Sequence, residues 1–416
     1  MSTNQHSHAI AQKLDRQDPL ATARDKFFLP GNLIYLDGNS LGPAPKAAFA
    51  DLEEAAHREW AQNLIGSWNS AGWFDLPSKS GAIIADIIGA QKDEVVACDT
   101  TSINIFKALH AALSLRPERN VIVAEAASFP TDLYMVEGVV GTTQTKNIRL
   151  EGIDAPEIEA LIDEDTAVVL VNQVDYRTGK VRDVGALTRH AHANGAIIVF
   201  DLCHSAGIMP VELNQHEVDL AVGCTYKYLN GGPGSPAFIF CATKHLADVQ
   251  QPLSGWWGHQ TPFAFNQSYS PDPGIRKFLC GTQPILSFRA MQAGLELTRQ
   301  YDMGKIRKKS MALTDLFLSE IMKFAEEYGV GLASPENAQD RGSQISLTHD
   351  SGYEVIQALI ERGVVGDFRT PNIMRFGFAP LYISYQNVVD AAAILKDILE
   401  TEIWRDPRFK QKSAVT

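Results

Sequence analysis

The chain contains no run of about eighteen consecutive apolar residues, so no segment reads as a transmembrane helix. The polar stretch Met1 to Asp18 lacks the apolar core of a secretion signal, and a cytoplasmic location is expected. Cysteine is scarce: Cys98, Cys203, Cys224, Cys241 and Cys280 are scattered, odd in number, and form no Cys-x-x-Cys pair. That argues against a zinc ribbon and against a disulfide framework, and no metal is expected. Positive charge is also in deficit. A formal net charge of −12 disfavours a nucleic-acid surface and suits an enzyme acting on small molecules. There is no internal repeat and no low-complexity tract. What the chain does have is 416 residues, 45% of them hydrophobic, enough for two packed domains.

Three segments are expected: an N-terminal arm over 1–45, a large domain over 46–290 and a smaller C-terminal α/β domain over 291–416. Disorder is expected for the first fifteen or so residues of the arm. Helical spacing of Ala48, Leu52, Ala55, Ala56 and Trp60 predicts a helix from Pro45 to about Asn63. Apolar runs then predict strands over 94–97, 120–124, 167–171, 196–201, 219–224 and 236–241, with helices after Thr100 and over 185–193. Alternating β and α units imply a mostly parallel, mixed sheet covered by helices. In such sheets ligands gather at the carboxyl ends of the strands. Further on, an apolar stripe predicts a helix over 311–328, and Asn387 is expected to cap another helix through Leu399. Strands are expected over 343–347 and 373–378, with a helix over 354–362 between them.

The strand ends carry the chemistry. Ala196-Ile197-Ile198-Val199-Phe200 closes on Asp201, and Asp219-Leu220-Ala221-Val222-Gly223 leads through Cys224-Thr225-Tyr226 to Lys227 and a glycine-rich turn. A lysine there is costly to place unless its amine has a use, and a buried aspartate needs a cationic mate. Together they are what pyridoxal phosphate (PLP) requires: an amine for its aldehyde and a carboxylate for its ring nitrogen. Thr101 and Ser102 open a helix, where hydroxyls and amides can hold phosphate or merely cap. His204 can be an ordinary packed histidine or line the cofactor, and the second reading is preferred. Phe129 can stack on a ring or fill a core. Arg375, flanked by apolar residues, calls for an anion, either a substrate carboxylate or a structural partner. Other signals fail. Gly38-Asn39-Ser40-Leu41-Gly42 has the hydrolase G-x-S-x-G spacing, but Pro43 and Pro45 follow it. His190 and His192 fall on different helix faces. Gly231-Gly232-Pro233-Gly234 lacks the ending of a phosphate-binding P-loop.

These residues belong to longer motifs: Tyr35 to Gly42, Ser67-Trp68-Asn69-Ser70-Ala71-Gly72-Trp73, Phe129-Pro130-Thr131-Asp132, Asp201 to Gly207, Cys224 to Gly232 and Gly255-Trp256-Trp257-Gly258-His259. Over nearly its whole length the chain resembles the kynureninases, which are fold-type I PLP enzymes. The resemblance implies that Lys227 is the Schiff-base lysine, that Asp201 partners the pyridinium nitrogen and that Phe129 covers the ring. By the same resemblance Asp132 and His204 lie beside the cofactor, and Asn172 falls at a cofactor-binding position that varies within the family. Thr101, Ser102, Tyr226 and Trp256 match phosphate-end contacts. Thr282 matches a residue reaching the cofactor of a neighbouring subunit, which implies a homodimer with shared sites. Arg375 matches the holder of the substrate α-carboxylate, and Ser40 and Trp68 match substrate-pocket positions. The implied reaction is hydrolysis of L-kynurenine to anthranilate and L-alanine in tryptophan catabolism. Tyr226 is a candidate acid–base group, and 3-hydroxykynurenine is expected to be the poorer substrate. The nearest rivals are other enzymes of the same fold, a cysteine desulfurase or an aminotransferase, but desulfurases carry a histidine before the lysine, where this chain has Tyr226. A second rival, a PLP-binding protein with regulatory or carrier duties and no turnover, is opposed by the intact set of Lys227, Asp201 and Arg375.

Overall fold

The computed structural model describes residues 3–143, 147–151 and 157–411. Residues 1 and 2 of the expected arm and 412–416 at the other end lie outside it. Two compact units form: Ala47–Gln173 with Arg182–Gln300, and Met1–Lys46 with Val174–Val181 and Tyr301–Thr416. The N-terminal segment therefore folds with the C-terminal third, and residues 291–300 fold with the larger unit.

Among the described residues the larger unit is built on seven strands: β1 (Val95–Ala97), β2 (Val121–Glu125), β3 (Asn147–Glu151), β4 (Thr166–Asn172), β5 (Ile197–Asp201), β6 (Leu220–Gly223) and β7 (Phe238–Cys241). Their spatial order is β1-β7-β6-β5-β4-β2-β3. All neighbours from β6 to β3 run parallel, and β7 alone is antiparallel to both of its neighbours. The described residues of β4, β5 and β6 are buried along their whole length, as continuous apolar runs in a sheet covered on both faces must be. The helix Thr101–Ser114 contributes Ile105, Ala108, Leu109 and Ala112 to the same core as Val199, Leu220 and Val222. The edge strand β3 has no counterpart in the apolar-run reading, because its sequence alternates polar Asn147, Arg149 and Glu151 with Ile148 and Leu150 and offers no continuous apolar run.

The smaller unit holds a four-stranded antiparallel sheet of β8 (Gly331–Leu332), β9 (Gln344–Thr348), β10 (Asp367–Arg369) and β11 (Ile373–Gly377), ordered β10-β11-β9-β8. Three expectations are corrected here. Residues expected to be disordered form the helix Thr3–Gln17. Its own sequence is too polar to need a core, yet tertiary contacts hold it: Ser7 donates to Glu320 at 2.9 Å, and Asp15 accepts the Tyr385 and Gln386 N–H groups at 2.8 and 3.0 Å. The long helix runs over Met303–Ile321, not 311–328. Asp302 caps it by accepting the Lys305 N–H, and residues 322–329 form turns. The last helix, Tyr385–Glu400, is capped by Ser384, with Asn387 as the reciprocal partner of a capping box.

Candidate active site

Strands β4 and β5 end level with each other, because Asn172 is the register partner of Asp201. Three buried side chains meet there. Asn172 Nδ2 donates to Asp132 Oδ2 and to Asp201 Oδ2, each at 3.0 Å. Asp132 comes from the first turn of the helix Pro130–Thr142, where Pro130 sets the entry. Asp201 Oδ1 accepts the Cys203 N–H at 2.7 Å, which fixes the carboxylate as the chain leaves β5. Burial, and then the neighbouring Asp201 charge, push the Asp132 carboxyl well above its usual range, against the pull of Asn172 and Lys227.

Lys227 lies in the turn that follows β6. Its carbonyl accepts the Asn230 N–H at 3.0 Å, and the Thr225 carbonyl accepts the Gly231 N–H at 2.8 Å. Thr225 Oγ1 lies 2.6 Å from both Ser235 Oγ and the Pro236 carbonyl. The turn presses against the helix Ile285–Thr298 at Gly294, where a Cβ would lie 2.4 Å from the Leu229 and Asn230 carbonyl oxygens. Only glycine permits that approach. From this fixed base Lys227 Nζ reaches within 2.9 Å of His204 Nε2. The Tyr226 phenol is pushed up, first by the neighbouring Cys224 sulfur and then by burial.

Thr101 and Ser102 are the first residues of their helix, and Thr100 is the cap that accepts the Ile103 N–H. Thr101 Oγ1 lies 3.7 Å from Cys203 Sγ, which itself accepts the Cys224 N–H at 3.1 Å. The helix start, the β5 exit and the β6 exit are thereby joined through one buried thiol that sequence reasoning did not single out. Trp68 and Trp256 have ring centroids 6.0 Å apart, and both pack on the fully buried Trp257. Phe129 is 44% exposed, and Thr282 is exposed on the loop before Ile285.

In the smaller unit, Arg375 lies on the inner strand β11 opposite Asp367 of β10. Its Nε donates to Asp367 Oδ1 at 2.7 Å and its Nη2 to Asp367 Oδ2, a bidentate pair. Nη2 also donates to Ser40 Oγ at 3.2 Å, and Nη1 to the Tyr176 carbonyl at 2.6 Å. Ser40 Oγ donates to Asp367 at 2.8 Å, and Arg369 Nη2 meets the same Asp367 oxygen at 2.8 Å. The anion that Arg375 called for is therefore present within the chain. Burial and the adjacent Asp367 charge raise the Asp37 carboxyl to about 7, opposed by Ser40, Arg375 and Arg369. Asp37, Asp367, Arg369 and Tyr176 went unnoticed in the sequence. The only signal that could have found Asp367 is its spacing from Arg375 across a tight antiparallel pair.

The donor set of the larger unit fits PLP: hydroxyls at a helix start, a strand-end carboxylate held by an amide, and a lysine on a braced turn. Among the described residues no cluster of histidine, cysteine or carboxylate side chains could hold a metal ion.

Comparison with known proteins agrees. The family described as "Kynureninase C-terminal domain" matches residues 306–395. A kynureninase of Burkholderia mallei strain SAVP1 is 49% identical over 411 residues, covering 98% of this chain and 99% of the relative. One of Pseudomonas fluorescens is 49% identical over 408 residues, covering 97% and 98%. Among solved structures, a cysteine desulfurase of Thermococcus onnurineus NA1 superposes with a TM-score of 0.75 at 19% identity, covering 91% of this chain and 98% of the other. A mutant of C-DES with glycine covalently linked to its PLP cofactor gives 0.76 at 13%, covering 89% and 98%. At such identities these likenesses speak for the fold, that of the fold-type I PLP enzymes. The full-length relatives speak for more: the chain belongs to the kynureninase family.

Proposed function

We propose that this protein hydrolyses L-kynurenine to anthranilate and L-alanine with PLP as cofactor, a step of tryptophan catabolism. The observation carrying this reading is a lysine amine 2.9 Å from His204, in a chain 49% identical to kynureninases over 98% of its length. Lys227 would hold the cofactor aldehyde and Asp201 its ring nitrogen. Thr101, Ser102, Tyr226 and Trp256 would serve the phosphate end. Phe129 would cover the ring, with Asp132 and His204 beside it, and Asn172 would act through the two carboxylates it bridges. When bound, PLP supplies an electron sink for charge developing at the substrate Cα.

The remaining work falls to side chains. Arg375 and Ser40 take the substrate α-carboxylate, and Trp68 borders the aryl group. Lys227 receives the Cα proton, with His204 within hydrogen-bond reach of its nitrogen. The Tyr226 phenol, held protonated by its surroundings, donates to the aryl carbonyl as water adds. The water oxygen leaves in the anthranilate carboxylate, the Cβ of the departing alanine gains a proton that the added water gives up, and Lys227 returns a proton to Cα. Tyr226→Phe is expected to slow turnover at least a hundredfold while the cofactor stays bound, as read by its absorbance. Unchanged turnover removes Tyr226 from this role.

Thr282 would complete the neighbouring subunit's site in a homodimer, and the location would be cytoplasmic. Among the described residues no helix is long and apolar enough to cross a membrane. Kynurenine would be preferred over 3-hydroxykynurenine, a difference of one hydroxyl that a pocket senses only by pairing or excluding it. Mixing the purified protein with each substrate and following anthranilate or 3-hydroxyanthranilate fluorescence tests the hydrolysis and the preference. Release of alanine and sulfur from L-cysteine, with no anthranilate from kynurenine, would favour the desulfurase chemistry instead.

A further inference from the structure

The charges around Arg375 do not balance for an incoming anion. Arg375 is almost completely buried, and four of the five N–H groups of its guanidinium are already engaged by Asp367, Ser40 and the Tyr176 carbonyl. Arg369 shares the same Asp367 oxygen. Two carboxyl groups face these two cations: Asp367 on β10, and Asp37, which pairs as a parallel bridge with Gly377 at the end of the Arg375 strand. The other groups facing Asp37 are the Tyr35 phenol on its own segment and the Ser40 hydroxyl. The Tyr176 ring stands 6.0 Å from the Arg375 guanidinium carbon. With both carboxyls ionised, the cluster is already neutral. A substrate carboxylate would add a third negative charge to two positive ones.

The two carboxyls differ in how they are held. Asp367 accepts from Arg375 Nε and Nη2, from Ser40 Oγ and from Arg369 Nη2. Asp37 Oδ1 is buried and has no hydrogen-bond partner among the described residues. A carboxylate oxygen buried without a donor is the one that gains most by taking a proton. We infer that docking of a substrate carboxylate at Arg375 is coupled to uptake of one solvent proton by Asp37, which restores charge balance in the cluster. The inference rests on the assignment of Arg375 to the substrate carboxylate. It makes Asp37 a positioning and specificity residue and gives carboxylate binding a pH dependence. Asp37, raised to about 7 before anything binds, is poised to respond in the neutral range. An added negative charge raises it further, so binding is favoured below that value and weakens above it.

The test uses the holoenzyme and two probes: L-alanine, which keeps the α-carboxylate, and ethylamine, which lacks it. Inhibition constants of both against kynurenine are measured between pH 6 and 9. Their ratio cancels proton changes at the amine and at the cofactor. In the wild type the ratio of the alanine constant to the ethylamine constant should rise above pH 7 by up to about tenfold per pH unit. Asp37→Asn should flatten the rise, and Asp37→Glu should keep it. Calorimetric titration of the wild type with alanine at about pH 8.5, where free Asp37 is ionised, in two buffers of different ionisation enthalpy should show close to one extra proton taken up relative to ethylamine. That measurement decides the matter even where Asp37→Asn loses its fold or its cofactor absorbance. A flat wild-type ratio, an unchanged slope in folded Asp37→Asn, or equal proton uptake for both probes overturns the inference. Arg375→Gln separates the layers. If it abolishes the preference for alanine, the carboxylate assignment stands whatever Asp37 does; if it leaves the preference intact, that assignment falls and the proton coupling falls with it.

Discussion

Replacing Asn172 by leucine removes the one donor that two buried carboxylates share. Asp132 and Asp201 are 2% and 5% exposed, and each accepts an Asn172 N–H at 3.0 Å. A hydrogen bond to a charged group contributes about 1.5–3 kcal/mol, so losing both costs about 3–6 kcal/mol if both carboxylates stay ionised. The protein has a partial escape. Asp132 is already pushed up by burial and by Asp201, and Asn172 is one of the groups pulling it down. Without the amide its folded value rises further. The sign follows from linkage: while Asp132 is neutral in both proteins its ionisation adds nothing, and the penalty grows once the wild-type group ionises and the variant group cannot. Thermal unfolding of the cofactor-free protein between pH 5 and 9 should show Asn172→Leu melting several degrees below wild type, with the gap widening as pH rises. The amide also orients Asp201, so the absorbance band of the reconstituted variant should shift. A penalty under about 1 kcal/mol at every pH, or a gap that narrows as pH rises, would refute the idea that Asn172 bridges the two carboxylates.

Other expectations follow from particular contacts. Lys227→Ala should abolish anthranilate release, and borohydride reduction of the PLP-loaded variant should leave no labelled peptide spanning position 227. Arg375→Met should lower stability by up to about 3–5 kcal/mol, because it takes the bidentate partner from the buried Asp367 carboxylate and leaves it Ser40 and Arg369, and adding Asp367→Leu should recover most of that loss in a double-mutant cycle read by melting temperature. Asp15→Ala takes two N–H partners from the start of the helix Tyr385–Glu400 and should cost about 0.5–2 kcal/mol, with the anthranilate assay checking that turnover per folded molecule is unaffected.

The legible and illegible parts of this molecule divide along a physical line. That Asn172 and Asp201 close neighbouring strands, with Lys227 in the turn after the next one, was legible because a β/α sequence places its strand-end residues at one edge of a parallel sheet, and the end of each apolar run marks that edge. The Asn172–Asp201 register then follows from two strands ending together. Segments whose order comes from partners far along the chain were hidden. The helix Thr3–Gln17 looks too polar to fold, and it is held by Glu320 and by the start of a helix 370 residues further on. The first turns of the helix Met303–Ile321 carry Lys305, Arg307 and Lys308, which mask its apolar stripe until Leu313.

Arg375 shows the consequence for function. From the sequence it is a buried cation awaiting an anion, and a substrate carboxylate is the natural candidate. The register of β10 against β11 sets Asp367 directly across from it, so the anion is already there. Binding a carboxylate at this arginine is then an exchange and not a simple addition. One N–H of the guanidinium remains for the newcomer, so a two-point grip requires that Ser40 or the Tyr176 carbonyl yield another, that Arg369 turn toward it, or that the local charge change. An arginine whose fork is fixed by an internal carboxylate loses little side-chain entropy when substrate arrives, and its orientation is set beforehand. Under the proposed assignment of Arg375, the same arrangement would make the internal carboxylates part of the affinity for substrate: any change that neutralises Asp37 or Asp367 should tighten carboxylate binding, provided the guanidinium keeps its place.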